Sequence, residues 1–105
     1  MILGALPMIE TLLGRDQRDT LLRMGVAAGE RSGAVLQEAL AAGDVARAKQ
    51  EAHSLRGAAG PFGAEELGAL LRRIETGEAV SAAAVAAGVD AFVAACRAAL
   101  TGMSD

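Results

Sequence analysis

Between the breakers Gly43-Asp44 and Pro61, apolar residues recur at Val45, Ala48, Ala52, Leu55 and Ala59, in alternating steps of three and four. That spacing puts five side chains on one side of an α-helix, whereas strand faces alternate every second residue. The same rhythm runs through the rest of the chain. Leu21, Gly25, Ala28, Ser32, Val35, Leu36, Ala39 and Leu40 carry it in a long run from Gln17 to about Ala42. Leu67, Leu70, Leu71 and Ile74 carry it in a shorter run, and Val85, Val89, Phe92, Cys96 and Leu100 in the last. The pattern predicts an all-α protein.

The punctuation divides these runs. LPMIETLLG reads as a short helix, with Pro7 in its first turn and Gly14 at its end. Asp16 is the expected N-cap of the second helix, with Asp19 in its acidic first turn. Gly43 stops that helix and Asp44 caps the next. Pro61 ends the third helix, and Gly63 with Glu66 resembles a weak capping arrangement for the fourth. ETGEAVS (75–81) is a turn, and Ser81 is the expected cap of the last helix. Short connections between amphipathic helices make antiparallel neighbours. The expected architecture is an up-down antiparallel four-helix bundle with an additional short N-terminal helix, in one domain covering 1–105.

Composition narrows the function. The chain has 105 residues and is 52% apolar, enough for one core and too short for a second. Its formal charge is −3 and its only aromatic residues are Phe62 and Phe92. Phosphate backbones demand many Lys and Arg, and single strands also need aromatic platforms, so no nucleic-acid partner is expected. Residues 79–96 are mostly apolar but rich in alanine and interrupted by Gly88 and Asp90, so no membrane association is expected either. Cys96 is the lone cysteine and lies on an inward stripe, which makes it a buried thiol. With no basic leader segment, a cytoplasmic protein is expected.

The chain's single histidine, His53, stands in AHSLRGAAGPFG (52–63). It lies about 120° from the centre of the third helix's apolar stripe, so it faces outward or sits at the stripe's edge. A surface histidine without a role is the plain reading. Its neighbours argue for another. Gly57 is one turn on, Gly60 two turns on, and Lys49 and Arg56 flank the ring. Each helix glycine costs about 1 kcal/mol relative to alanine. One His and one Cys on different helices make a poor metal set. No local spacing supplies a hydrolytic triad, and an alanine-rich bundle gives no sign of a substrate cavity for acid–base chemistry. The remaining chemistry is a nucleophile that meets its reaction partner on another molecule. An imidazole is largely neutral near pH 7 and can accept a group at Nε2, with cations stabilising an anionic adduct.

AHSLRGAAGPFGAEELGALLRRIE (52–75), with Gly43-Asp44 upstream, resembles the histidine-containing phosphotransfer (HPt) domain. The family pattern of His, two residues, Lys and Gly, then a further Gly, a Leu and a closing Leu-Glu, is met by His53, Arg56, Gly57, Gly63, Leu67 and Ile74-Glu75. The resemblance implies that His53 is the phosphoacceptor, taking a phosphoryl group from the aspartate of one receiver domain and passing it to another. It implies response-regulator receivers and a hybrid histidine kinase as partners, and Mg²⁺ brought by the receiver, with no cofactor or metal of the chain's own. Arg56 would stand where the family's lysine accompanies the phosphate, assisted by Lys49, while Gly57 and Gly60 keep the approach open. HSLR is also similar to the histidine box of dimeric sensor kinases, but Ser54 replaces the acidic residue and no ATP-binding domain fits this length. The chain is therefore expected to carry phosphate without being a kinase.

Three further features complete the reading. Gly25, Gly29 and Gly33 recur every four residues on the second helix. Close packing is the reading for Gly25, while Gly33 lies farther round and is a candidate docking position. The short first helix is expected to cap the bundle near His53, with Met8 and Ile9 lending apolar surface to a partner. Arg72 and Arg73, after a leucine pair, read as solvated. The initiating Met and complete bundle favour a separate protein, expected to be a monomer, although an excised domain of a larger kinase would read much the same. The rival readings are a non-catalytic adaptor that binds a receiver or kinase without carrying phosphate, and a dimerising scaffold built on the glycine-lined helix.

Overall fold

The structure, a computed structural model, describes residues 2–102. It is all-helical among those residues: α1 (Leu6–Leu13), α2 (Arg15–Ala42), α3 (Val45–Ala59), a 3₁₀ turn at Gly60–Phe62, α4 (Glu65–Glu75) and α5 (Ala82–Leu100). Helix α2 packs against both α3 and α5, and α4 packs against the same two, so the four long helices close a ring. In that ring the α3–α4 face lies opposite the α2–α5 face. At 1.5 Å per residue α2 is about 42 Å long, which matches the 41 Å long axis of the molecule.

Two predicted helix starts are corrected. Asp16 is not the N-cap of α2; Gly14 is, at φ 86°, and its N–H also closes α1 on Glu10 O at 2.9 Å. A positive-φ glycine reverses the chain in one residue and leaves no room for a side-chain cap. Asp16 instead sits in the first turn, where its charge favours the helix dipole. Gly63 and Glu66 form no capping arrangement: α4 starts after Ala64 with no side-chain cap. Gly63, at φ 74°, closes the 3₁₀ turn, and a Cβ on it would lie 2.8 Å from Ala5 N. That close approach follows from the bond Ala5 N–H donates to Phe62 O at 2.8 Å, which ties the N-terminal segment to the α3–α4 connection. The other caps are as read. Asp44 accepts from Arg47 N–H at 3.1 Å, and Ser81 Oγ from Ala84 N–H at 3.1 Å.

The core gathers the expected stripes around Phe62 and Phe92, whose ring centroids are 6.0 Å apart at 57°. Leu22, Leu36, Leu55, Leu71, Val85 and Cys96 are fully buried beside them. Burial of each such leucine stabilises the fold by about 1.5–3 kcal/mol. Val45 departs from its stripe and is 61% exposed. It is the first residue of α3, at the end of the bundle, where the correct helical face extends past its neighbours.

The α2 glycines are packing residues, and here Gly33 is corrected: it is buried rather than open. A Cβ on Gly33 would meet Val89 at 2.9 Å, one on Gly29 would meet Val93 at 2.5 Å, and one on Gly25 would touch Phe62 at 3.2 Å. Because α2 is covered from two sides, its buried arc is wider than one stripe and takes in Leu22, Gly29 and Gly33. Helix α1 lies on α2, held by the nearly buried Arg18, which pairs with Glu10 at 3.3 Å and Asp19 at 2.8 Å. Helix α5 is long and apolar enough to cross a membrane by length and composition. Its Val85, Val89, Phe92, Val93 and Cys96 are buried in the bundle.

Candidate functional site: a histidine aimed from the neighbouring helix

His53 projects from the middle of α3, off the stripe that buries Ala48, Ala52, Leu55 and Ala59, and its side chain is 73% exposed. One ring nitrogen is held. Nδ1 lies 2.7 Å from Oε1 of Glu75, the last residue of α4. An ionised carboxylate only accepts, so the proton of the neutral ring belongs on Nδ1, and Nε2 keeps its lone pair.

Glu75 is itself fixed by Arg56, one turn beyond His53 on α3. Arg56 Nε donates to Oε2 and Nη2 to Oε1 at 3.2 Å, a forked pair on a carboxylate that is mostly buried. The Arg56 bond holds the Glu75 carboxyl below the usual carboxylate range; partial burial opposes this, and the His53 bond adds to it. The same pairing pushes the Arg56 guanidinium up from its ordinary value. Arg56 Nη2 also comes within 3.5 Å of His53 Nδ1, but both atoms carry hydrogen in this tautomer, so the contact is no bond. Arg56 thus faces Glu75 in this structure, where the expectation set it beside an incoming phosphate.

The other predicted residues divide by location. Lys49 lies one turn before His53 with its ammonium 3.8 Å from the Cβ position of Gly77, alongside the α4–α5 turn. Gly57 and Gly60 open onto empty space: a Cβ on either would meet nothing within 4 Å. Ile9 is half-buried against the core, and the exposed apolar side chains of α1 are Met8, Leu12 and Leu13. Through Ala5 and Phe62, α1 belongs to the end of the bundle where α3 finishes. Gly33 sits under Val89 on the opposite face and is not brought to His53.

The motif reading quoted Glu75 without giving it a task. A physical signal was present, since an acidic residue at a helix C-terminus opposes the dipole and calls for a cationic partner. Gly68 was not singled out, and Arg72, read as solvated, is exposed. They line a depression between α3 and α4, across from Arg56 and Gly60.

Among the described residues no three His, Cys, Asp or Glu side chains gather in a way that could hold a metal ion. Beside His53 both oxygens of the Glu75 carboxylate are already engaged, by the ring and by Arg56.

No curated protein and no solved structure matches the chain significantly. The family model described as "Hpt domain" matches residues 20–102, from the first turns of α2 to the end of α5, leaving α1 outside the match. With most of its length covered by that match, the chain belongs to the Hpt domain family of helical bundles that serve histidine phosphotransfer in phosphorelays.

Proposed function

We propose that this protein carries phosphate on His53 between receiver domains of a multistep two-component phosphorelay. The observation that supports the reading most is the 2.7 Å contact from Glu75 to Nδ1 on a ring that is otherwise exposed. In the forward step the Nε2 lone pair attacks the phosphorus of a receiver's aspartyl phosphate. The N–P bond forms, the P–O bond to the aspartate breaks, and the electron pair leaves on the carboxylate. Nδ1 keeps its proton throughout. The ring gains positive charge as the bond forms, and Glu75, ionised and held in place by Arg56, stabilises that charge. Transfer to the next receiver reverses the same steps.

Lys49 and the outer edge of Arg56 supply positive potential for the phosphoryl oxygens, and Gly57 and Gly60 leave room for the partner's active site. Mg²⁺ comes with the receiver, where it neutralises charge on the transferring group. A hybrid histidine kinase would supply phosphate through its own receiver, and the response regulators would receive it. The exposed Met8 and Leu12 of α1, rather than the half-buried Ile9, are the apolar side chains that this helix offers to a partner. We assign a soluble cytoplasmic monomer without nucleic-acid or membrane partners, a reading supported by the charge of −3 and the paucity of aromatics.

The test is incubation with Mg²⁺ and a phosphorylated receiver, followed by intact mass and acid and alkali treatment. The expected result is a phosphate-sized gain that is acid-labile, alkali-stable and absent from His53→Gln. Receiver binding by the wild-type protein with no adduct on His53 would refute phosphotransfer and leave the adaptor.

A further inference from the structure

Glycine inside a helix has an explanation when something packs against it. Gly25, Gly29 and Gly33 have one each in Phe62, Val93 and Val89. Gly68, in the middle of α4, has none: a Cβ there would meet nothing within 4 Å. Alanine would favour the helix at this position, so nothing inside the bundle accounts for the missing side chain. Outside the bundle the position has a context. Helices α3 and α4 run side by side, with His53 and Glu75 meeting at one level. From there the α3–α4 groove passes Arg56 on α3 and Gly60 at the start of the 3₁₀ turn, facing Arg72 and Gly68 on α4.

Arg72 adds charge to this groove. It is exposed, three residues before Glu75, and so on the same side of α4. Arg73 pairs with Glu78, Arg97 with Glu30, Arg18 with Glu10 and Asp19, and Arg56 with Glu75. Arg72, like Arg15, Arg23, Arg31 and Arg47, has no ion-pair partner among the described residues, but of these five it alone lines the α3–α4 groove. Arg56 and Arg72 line the groove against a single acidic residue, Glu65, so in a chain of net charge −3 the groove is a local exception to the overall sign. It suits an acidic partner, and receivers that carry phosphate on aspartate approach this groove with negative charge. Rim charges of this kind act on encounter and partner choice.

The geometry points to Arg72 as a specificity residue. It would hold an acidic segment of the receiver in the α3–α4 groove, over the open floor of Gly60 and Gly68, while the phosphoaspartate meets His53. The inference rests on the phosphotransfer reading and adds where the partner lies and what selects it.

The test uses a panel of purified receiver domains, phosphorylated with acetyl phosphate in Mg²⁺. The rate of phosphate arrival on His53 is followed by mass over a range of receiver concentrations. Arg72→Glu is expected to raise the half-saturating concentration about tenfold or more, with a smaller change in maximal rate and a weaker dependence on salt. Gly68→Leu, which fills the floor of the groove, is expected to act in the same direction with the melting temperature held. Arg97→Glu, an equal charge change on the opposite face, should alter neither parameter. Unchanged half-saturation in both Arg72→Glu and Gly68→Leu would overturn the proposal, as would a loss confined to the maximal rate. If no receiver loads His53 in the wild-type protein, the phosphotransfer reading is the part that fails. Calorimetric binding of the same receivers then decides the docking: a loss of affinity in Arg72→Glu sustains it, and binding that is absent or indifferent to Arg72 refutes it.

Discussion

Helix glycines on two opposite faces of this bundle have opposite consequences. On the α2–α5 face, Gly25, Gly29 and Gly33 let α5 come so close that Val89 and Val93 fill the space a side chain would need. On the α3–α4 face, Gly57, Gly60 and Gly68 look onto nothing. The first set exchanges helix propensity for contact within the fold. The second gives up the same propensity for no internal return, and it borders the only histidine. A helix glycine is therefore informative in proportion to the emptiness around it.

The largest expected effect falls on the closed face. Gly29→Leu must displace a branched valine from a position only 2.5 Å from the new Cβ, and should destabilise the fold by about 3 kcal/mol. A urea titration reads this directly, and an unchanged midpoint would mean that α2 and α5 can separate freely. Next comes the aim of the ring. Glu75→Ala leaves Nδ1 unheld and Arg56 unpaired, and should slow single-turnover transfer about 10- to 100-fold, as loss of a histidine's orienting partner commonly does. A rate within twofold of wild type would show that the ring needs no guide.

The open face should answer with split signs. Gly57→Ala is expected to stabilise the fold by up to about 1 kcal/mol while slowing transfer, because the new methyl group touches only the visitor. Destabilisation in the same urea assay would erase the distinction between the faces. The smallest effect concerns acid. Glu75 has its carboxyl lowered in the folded state by Arg56, so its contribution is present above the ordinary carboxylate range and is lost as pH falls through the lowered value. The stability difference between wild type and Glu75→Gln should hold from neutral pH down to that ordinary range, narrow as pH falls through it, and be gone below the lowered value. A difference that vanished already near pH 6 would refute the assignment.

Much of this was legible in the sequence, and the failures share a cause. Periodicity gives the angle of a residue around its helix, which placed Leu55, Leu71 and Phe92 inside and His53 outside. It gives neither the height along the bundle nor how many neighbours a helix has. Val45 failed on height, since it has the right angle at an end with nothing above it. Gly33 failed on neighbours, since α2 is covered by two helices and buries a wider arc than one stripe. The site was half legible for a similar reason. His53, Arg56 and Gly57 lie within one turn and reveal each other by spacing, whereas Glu75 reaches the ring from 22 residues away. Only the antiparallel return of α4 brings it there.

That return makes the nucleophile's chemistry depend on a register. The helix that carries His53 is not the helix that aims it, and a one-turn slip of α4 along α3 would move Glu75 by about 5.4 Å, well out of reach of the ring. What opposes the slip is the burial of Leu55 on α3 and of Leu71 and Ile74 on α4 in the shared core. A substitution such as Leu71→Ala, which never meets a phosphate, can therefore act as a detuning of the histidine, with reactivity drifting before the fold is lost.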